Sequence, residues 1–98
     1  MPSTDKLITL DEIIKEELKN QEFAEHYQRE LMINAIAKLV GELRHSAHLT
    51  QKELAKKAGT TQPVIARIES GRDSRVHSLE LLARIATAGG KHINISFE

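Results

Sequence analysis

The chain has 98 residues, no cysteine, and fourteen acidic against fourteen basic side chains, for a formal net charge of zero. This length leaves room for one domain with a short extra element at either end and excludes two large ones, and the missing cysteine excludes disulfides, thiolate zinc sites and thiol nucleophiles. Every apolar run is broken by charge before the ~18 residues that a membrane span requires, and the opening MPSTDKLITLDE lacks the basic-then-apolar build of a signal peptide, so a cytoplasmic protein without a membrane partner is expected.

The zero balance conceals a dipole along the sequence. Residues 1–30 carry eight acidic and four basic side chains (net −4), and residues 31–98 carry six and ten (net +4). A basic stretch attracts phosphate by releasing condensed counterions, whereas an acidic arm repels nucleic acid and suits a basic protein surface. Ordinary solvated surface would give the same counts.

Ser3–Ile8 has no period and reads as a loose arm. Thr9-x-x-Glu12 is a capping box, and Leu10, Ile13, Ile14 and Leu18 follow at helical spacing, which predicts a first helix of about ten residues ending near Asn20. From Gln21, the positions Phe23, Tyr27, Leu31, Ile36, Leu39, Val40 and Leu43 recur at short helical steps with only Gly41 inside, predicting a second, long helix to about Ala47. Met32 and Ile33 lie off its main stripe, so its middle needs a cover, either a partner or the first helix.

Thr50-Gln51-Lys52-Glu53 is a second capping box, followed by Leu54, Ala55 and Ala58 and closed by Gly59. Thr61 is placed to cap the next helix, Pro63 is tolerated in its first turn, and Val64, Ile65 and Ile68 supply an inner face before Gly71. Two short helices therefore meet across a tight turn at Gly59-Thr60. Residues 71–77 read as a polar, basic loop, Ser78 caps a last helix with Leu79, Leu82, Ile85 and Ala86 inward, and Gly89-Gly90 breaks it. The tail Lys91-His92-Ile93-Asn94-Ile95-Ser96-Phe97 alternates strictly, which predicts a strand with Ile93, Ile95 and Phe97 on one face. A lone strand cannot satisfy its own backbone, so the tail is expected to pair with another chain.

The most informative stretch is 49–71. Small Ala55 permits a close helix crossing, Gly59 makes the turn, and Ile65 with Ile68 pins the following helix so that Thr61, Gln62, Ala66 and Arg67 face outward. Glutamine and arginine suit bidentate contacts with adenine and guanine edges in the major groove. Catalysis has little support: His26, His45, His48, His77 and His92 are scattered, Glu16-Glu17 lies on a solvated face, and no glycine loop cradles phosphate. Neither a catalytic residue, a metal nor a cofactor is assigned, and the protein is not expected to be an enzyme.

This stretch resembles the helix-turn-helix of the phage repressor and Cro (XRE) family, with the pattern L-T-Q-x-E-L-A, then Gly, then a helix ending I-x-x-I-E-x-G, over roughly residues 36–88. The resemblance implies a lambda-repressor-like helix-turn-helix domain. With the elements predicted above, the expected fold is all-α, with five helices, an N-terminal helical extension and a short C-terminal β-strand, although a minimal domain of this family needs neither the extension nor the strand. It implies that Gln51 touches phosphate, that Gln62 and Arg67 read bases beside Thr61 and Pro63, and that Arg72, Ser74 and Arg75 follow the DNA backbone. Arg44 and Glu69 would form a partly buried ion pair. Pro63 departs from the usual polar residue and removes one possible base contact.

The N-terminal run from Leu10 through Leu18 to the Glu22-Phe23 turn and Tyr27 is similar to the HigA-type antitoxins of bacterial toxin-antitoxin pairs. That resemblance implies a RelE/HigB-like, ribosome-dependent mRNA-cleaving toxin as partner, held by Leu10, Ile13, Ile14, Glu17 and Leu18, and repression of the protein's own operon. The expected organisation is a toxin-binding extension over 1–28, a Cro/C1-type DNA-binding domain over 29–90 with its motif at 50–70, and a tail over 91–98 that pairs through Ile93, Ile95 and Phe97, either with its twin in a dimer or with the toxin. A homodimer on a pseudo-palindromic operator would place half-sites ~34 Å apart, nucleoid-associated when bound. A stand-alone phage-type repressor, or an interaction module that has lost DNA binding, are the alternatives.

Overall fold

The computed structural model describes residues 9–73 and 75–97, which form four helices: α1 (Leu10–Ser46), α2 (Gln51–Ala58), α3 (Gln62–Ser70) and α4 (Leu79–Ala88). The expected loose arm before Thr9, and Ser74, lie outside the described residues.

The Thr9 hydroxyl accepts the Glu12 amide at 3.2 Å to start α1. Asp11 and Glu12 in the first turn and Arg44 and His45 in the last have the charge signs that the helix dipole favours. The helix then runs 37 residues without a break. This corrects the expected pair of helices, and with it the count of five. Asn20 is a weak helix former, costing only about half a kcal/mol, and no glycine or proline stands near it to end the backbone ladder. The division expected between 28 and 29 therefore falls inside one helix, and the N-terminal turns cannot fold back to cover Met32 and Ile33.

At ~1.5 Å per residue α1 is roughly 55 Å long, close to the molecule's greatest extent of 64 Å. The radius of gyration is 20.0 Å, against ~13 Å for a compact chain of about 100 residues. The difference comes from the first half of α1, where every residue from Leu10 to Met32 is exposed and Ile33 is the first to be buried. The apolar stripe expected to be continuous changes direction here. Leu31 to Ile36 is a step of five, about 140° around the helix, so Phe23, Tyr27 and Leu31 stay in solvent while Ile33 and Val40 turn into the core.

The core is built where α1 meets the other three helices: Val40, Leu54, Ala55, Ala58, Ile65, Ile68 and Ile85, with Ile36, Leu43, Leu49, Val64, Leu81, Leu82 and Ala88 packed around it. The Ser78 hydroxyl caps α4 by accepting from Leu81, and α4 ends at Gly89 as expected. A Cβ at Gly89 would overlap the Leu43 side chain, so this glycine lets the end of α4 sit directly on α1.

Among the described residues there is no strand: 91–97 form none, with Ile93, Ile95 and Phe97 all exposed. This corrects the expected C-terminal strand for the single chain. The alternation is present, but none of the described residues offers it an edge to pair with. Among the described residues, no helix is long and apolar enough to cross a membrane.

Candidate nucleic-acid interface

The two short helices are fixed at each end by local chemistry. The Thr50 hydroxyl accepts the Glu53 amide at 3.0 Å, while the Thr50 amide donates to Glu53 Oε1 at 2.9 Å. These bonds hold the Glu53 carboxyl below its ordinary value, the backbone bond from Thr50 contributing most. Gly59 ends α2 at φ 72°, in the left-handed region that glycine enters without penalty. The Thr60 amide closes the turn on the Ala55 carbonyl at 2.9 Å. Gly71 repeats the device at the end of α3 with φ 68°. Leu54 and Ile65 are completely buried across the crossing, and Ala55 nearly so.

With Ile65 and Ile68 inward, the opposite side of α3 is left to solvent. Gln62, Pro63, Arg67 and Ser70 are exposed and Ala66 is half-buried. Gln62 and Arg67 are five residues apart, about 140° around the helix, so they mark the two margins of one outward arc with Pro63, Ala66 and Ser70 between them. Thr61 sits at the N-cap position with an extended backbone, but its hydroxyl does not bond to a helix amide. That differs from the expected side-chain cap and leaves an exposed hydroxyl at the leading edge of the arc.

Behind this face a line of hydrogen bonds leads back to α1. Arg44 Nε and a terminal nitrogen donate to the two oxygens of Glu69 at 2.7 and 2.9 Å, with only 15% and 12% of the two side chains exposed. Arg44 also donates to the Leu49 carbonyl at 3.0 Å. The expected ion pair is therefore present, as a bidentate pair joining α1 to α3. Gln51, half-buried at the start of α2, donates to Glu69 at 3.4 Å and accepts from Gln62 at 2.8 Å. Burial works to raise the Glu69 carboxyl, but the Arg44 and Gln51 hydrogen bonds and the Arg44 charge outweigh it and hold the group below its usual range. The Arg44 guanidinium is pushed up, chiefly by the Glu69 bond.

Beyond Gly71, Arg72 and Arg75 are exposed, on the loop expected to follow a DNA backbone; Ser74, the third residue expected there, is outside the described residues. Sequence reasoning did not single out Asp73 and His77. Asp73 Oδ1 accepts the Arg75 amide at 3.0 Å and its Nε at 3.4 Å. The Arg75 backbone bond is the largest influence holding the Asp73 carboxyl low. Asp73 Oδ2 faces His77 Nε2 at 3.4 Å, and both atoms are buried without a hydrogen bond. The carboxylate thus turns inward and braces the loop from which Arg75 projects. The only sequence signal was the Asp-x-x-x-His spacing, unremarkable in a polar loop.

The other expected groups lie elsewhere. Leu10, Ile13, Ile14, Glu17 and Leu18 are exposed along one side of the protruding part of α1, and the tail residues emerge after α4.

A scaffold helix, a left-handed glycine turn and a second helix whose outer side is polar and exposed define a helix-turn-helix DNA-binding protein. The helix-turn-helix family model HTH_3 matches residues 40–95, more than half of the 98-residue chain, and the chain belongs to that family, the XRE-type regulators. No curated protein and no solved structure matches it.

Proposed function

We propose that the protein is a sequence-specific repressor that also acts as the antitoxin of a type II toxin-antitoxin pair. The reading of DNA is assigned to α3, with Gln62 and Arg67 on base edges, Thr61 and Pro63 close to them, Gln51 on phosphate, and Arg72, Ser74 and Arg75 along the backbone. Two copies would bind a pseudo-palindromic operator in the cytoplasm of a bacterial cell.

The observation that carries the antitoxin half is the first part of α1. Its described residues up to Glu30 hold seven acidic and three basic side chains, and none of the described residues covers Leu10, Ile13, Ile14 or Leu18. Exposed apolar surface ringed by negative charge suits a basic protein and opposes both DNA and a second such arm. A RelE/HigB-like toxin, basic because it handles RNA, has the required chemistry. In this reading the arm masks the toxin while the helix-turn-helix represses the shared operon. The protein works by binding, with no chemical step, metal or cofactor.

The test is co-expression with the product of the adjacent reading frame. The full chain should restore growth, and the double variant Ile14→Asp/Leu18→Asp should not, while both retard operator DNA alike. Equal protection by the two would exclude this arm as the toxin-binding element; a neighbour that is not toxic would favour the stand-alone repressor.

A further inference from the structure

A groove of about 490 Å³ runs between the second half of α1, α4 and the start of the tail, and no residue of α2 or α3 lines it. Its apolar walls are Ile36, Leu39, Val40 and Leu43 on one side and Leu82 and Ile85 on the other, while Lys91 to Asn94 form a rim. Leu39 is largely exposed in it. Close by, the tail carries apolar groups that touch little of their own chain: Ile95 is 53% and Phe97 99% exposed.

We propose that this groove receives Phe97 of a second copy, delivered by antiparallel pairing of the two C-terminal tails. The inference rests on the dimeric operator-binding reading and gives that dimer its contact. Lys91, Ile93, Ile95 and Phe97 share one face of an alternating segment. Ile93, on that face, already lines the groove and is the least exposed of the three apolar tail residues. Antiparallel pairing centred on Asn94 sets Ile93 opposite Ile95 and Phe97 opposite Lys91, and residues directly opposite project to the same side. Phe97 of the second copy then arrives at the Lys91 rim, directed at Leu39 and Leu82.

Three deficits of the single chain are met together. Each tail gains a partner for its backbone, four isoleucines form one patch, and both grooves fill. The contact is isologous, so it closes at two copies. Gly89, seated on Leu43, fixes where each tail leaves α4, and the outward arc of α3 stays open to DNA.

The test uses the full chain, which has no native cysteine to interfere. A tagged Leu39→Cys protein is mixed with an untagged Phe97→Cys protein and treated with a short thiol cross-linker. A tagged–untagged product exceeding either self-product is expected. In sedimentation, Phe97→Ala should raise the dimer dissociation constant at least about tenfold, since two buried phenylalanines are lost per dimer, with an unchanged circular dichroism spectrum. A dimer that is indifferent to Phe97→Ala and gives no mixed product would overturn the groove contact and leave the dimeric reading standing. A wild-type chain that stays monomeric at about 100 µM, a weak limit for a specific dimer, would overturn both.

Discussion

Gln62 Nε2 donates to Gln51 Oε1 at 2.8 Å, so the first residue of α3 is held by the first residue of α2 before any DNA is present. Because Gln51 also bonds Glu69, the orientation of one exposed amide is tied to the ion pair between α1 and α3. Such pre-positioning lowers the ordering cost of binding.

The two glutamines should therefore act as a unit. If Gln51 touches phosphate as proposed, Gln51→Ala is expected to weaken binding to all duplexes alike and also to reduce the effect of Gln62→Ala. A double-mutant cycle on DNA affinity should give a coupling of about 1 kcal/mol. Strict additivity would show that the bond has no part in recognition.

The Arg44–Glu69 pair is expected to dominate the stability of the motif. Glu69→Gln leaves a mostly buried guanidinium without its countercharge and should cost about 3 kcal/mol, measured by urea unfolding. Replacing both residues, Arg44→Met with Glu69→Leu, should cost much less, because no unpaired charge remains. The sign of the pH effect follows from the depressed Glu69 carboxyl. The unfolded chain takes up this proton first as pH falls, so the stabilisation is complete above about pH 4.5 and is lost below it. Urea midpoints taken between neutrality and pH 3 should fall less steeply for Glu69→Gln than for the wild type.

In the loop after α3, Arg75 and Asp73 should separate into a contact and a brace. Arg75→Ala removes one phosphate partner and should lower the slope of log affinity against log salt by about one, equally on every sequence. Asp73→Ala removes no positive charge, yet it should also weaken binding to all duplexes because the acceptor for the Arg75 amide is gone. Unchanged affinity in Asp73→Ala would mean that the loop keeps its shape without that carboxylate.

The protruding part of α1 offers the opposite expectation. Ile14→Asp/Leu18→Asp changes only solvent-facing positions, so its unfolding midpoint should lie within about 0.5 kcal/mol of the wild type. A large destabilisation would show that these side chains are packed against the rest of the chain.

The helix-turn-helix was legible because its signals are local. Thr50 with Glu53, the two left-handed glycines and the Ile65–Ile68 inner face each depend on neighbours only a few residues away. The Arg44–Glu69 pair spans 25 positions and was foreseen only through the family resemblance. The continuity of α1 is not visible in its apolar spacing, because the step of five from Leu18 to Phe23 breaks the pattern as a helix end would. Spacing reports which side of a helix is apolar, whereas termination needs a backbone reason, and Asn20 supplies none. The tail's alternation was visible, but a strand is a property of two segments and the described residues provide one. Asp73 and His77 escaped because tertiary packing alone turns them inward.

The central claim is that the outward arc of α3 reads base sequence. The most direct measurement is selection of duplexes from a random pool, at about 100 mM salt where non-specific binding is weakened, by the wild type and by Arg67→Ala in parallel. The wild type should enrich two inverted half-sites about 10 base pairs apart, and Arg67→Ala should lose preference at one position per half-site, at a cost of roughly 1–3 kcal/mol on the wild-type sequence. No enrichment by the wild type, or identical sequences enriched by both proteins, would contradict it.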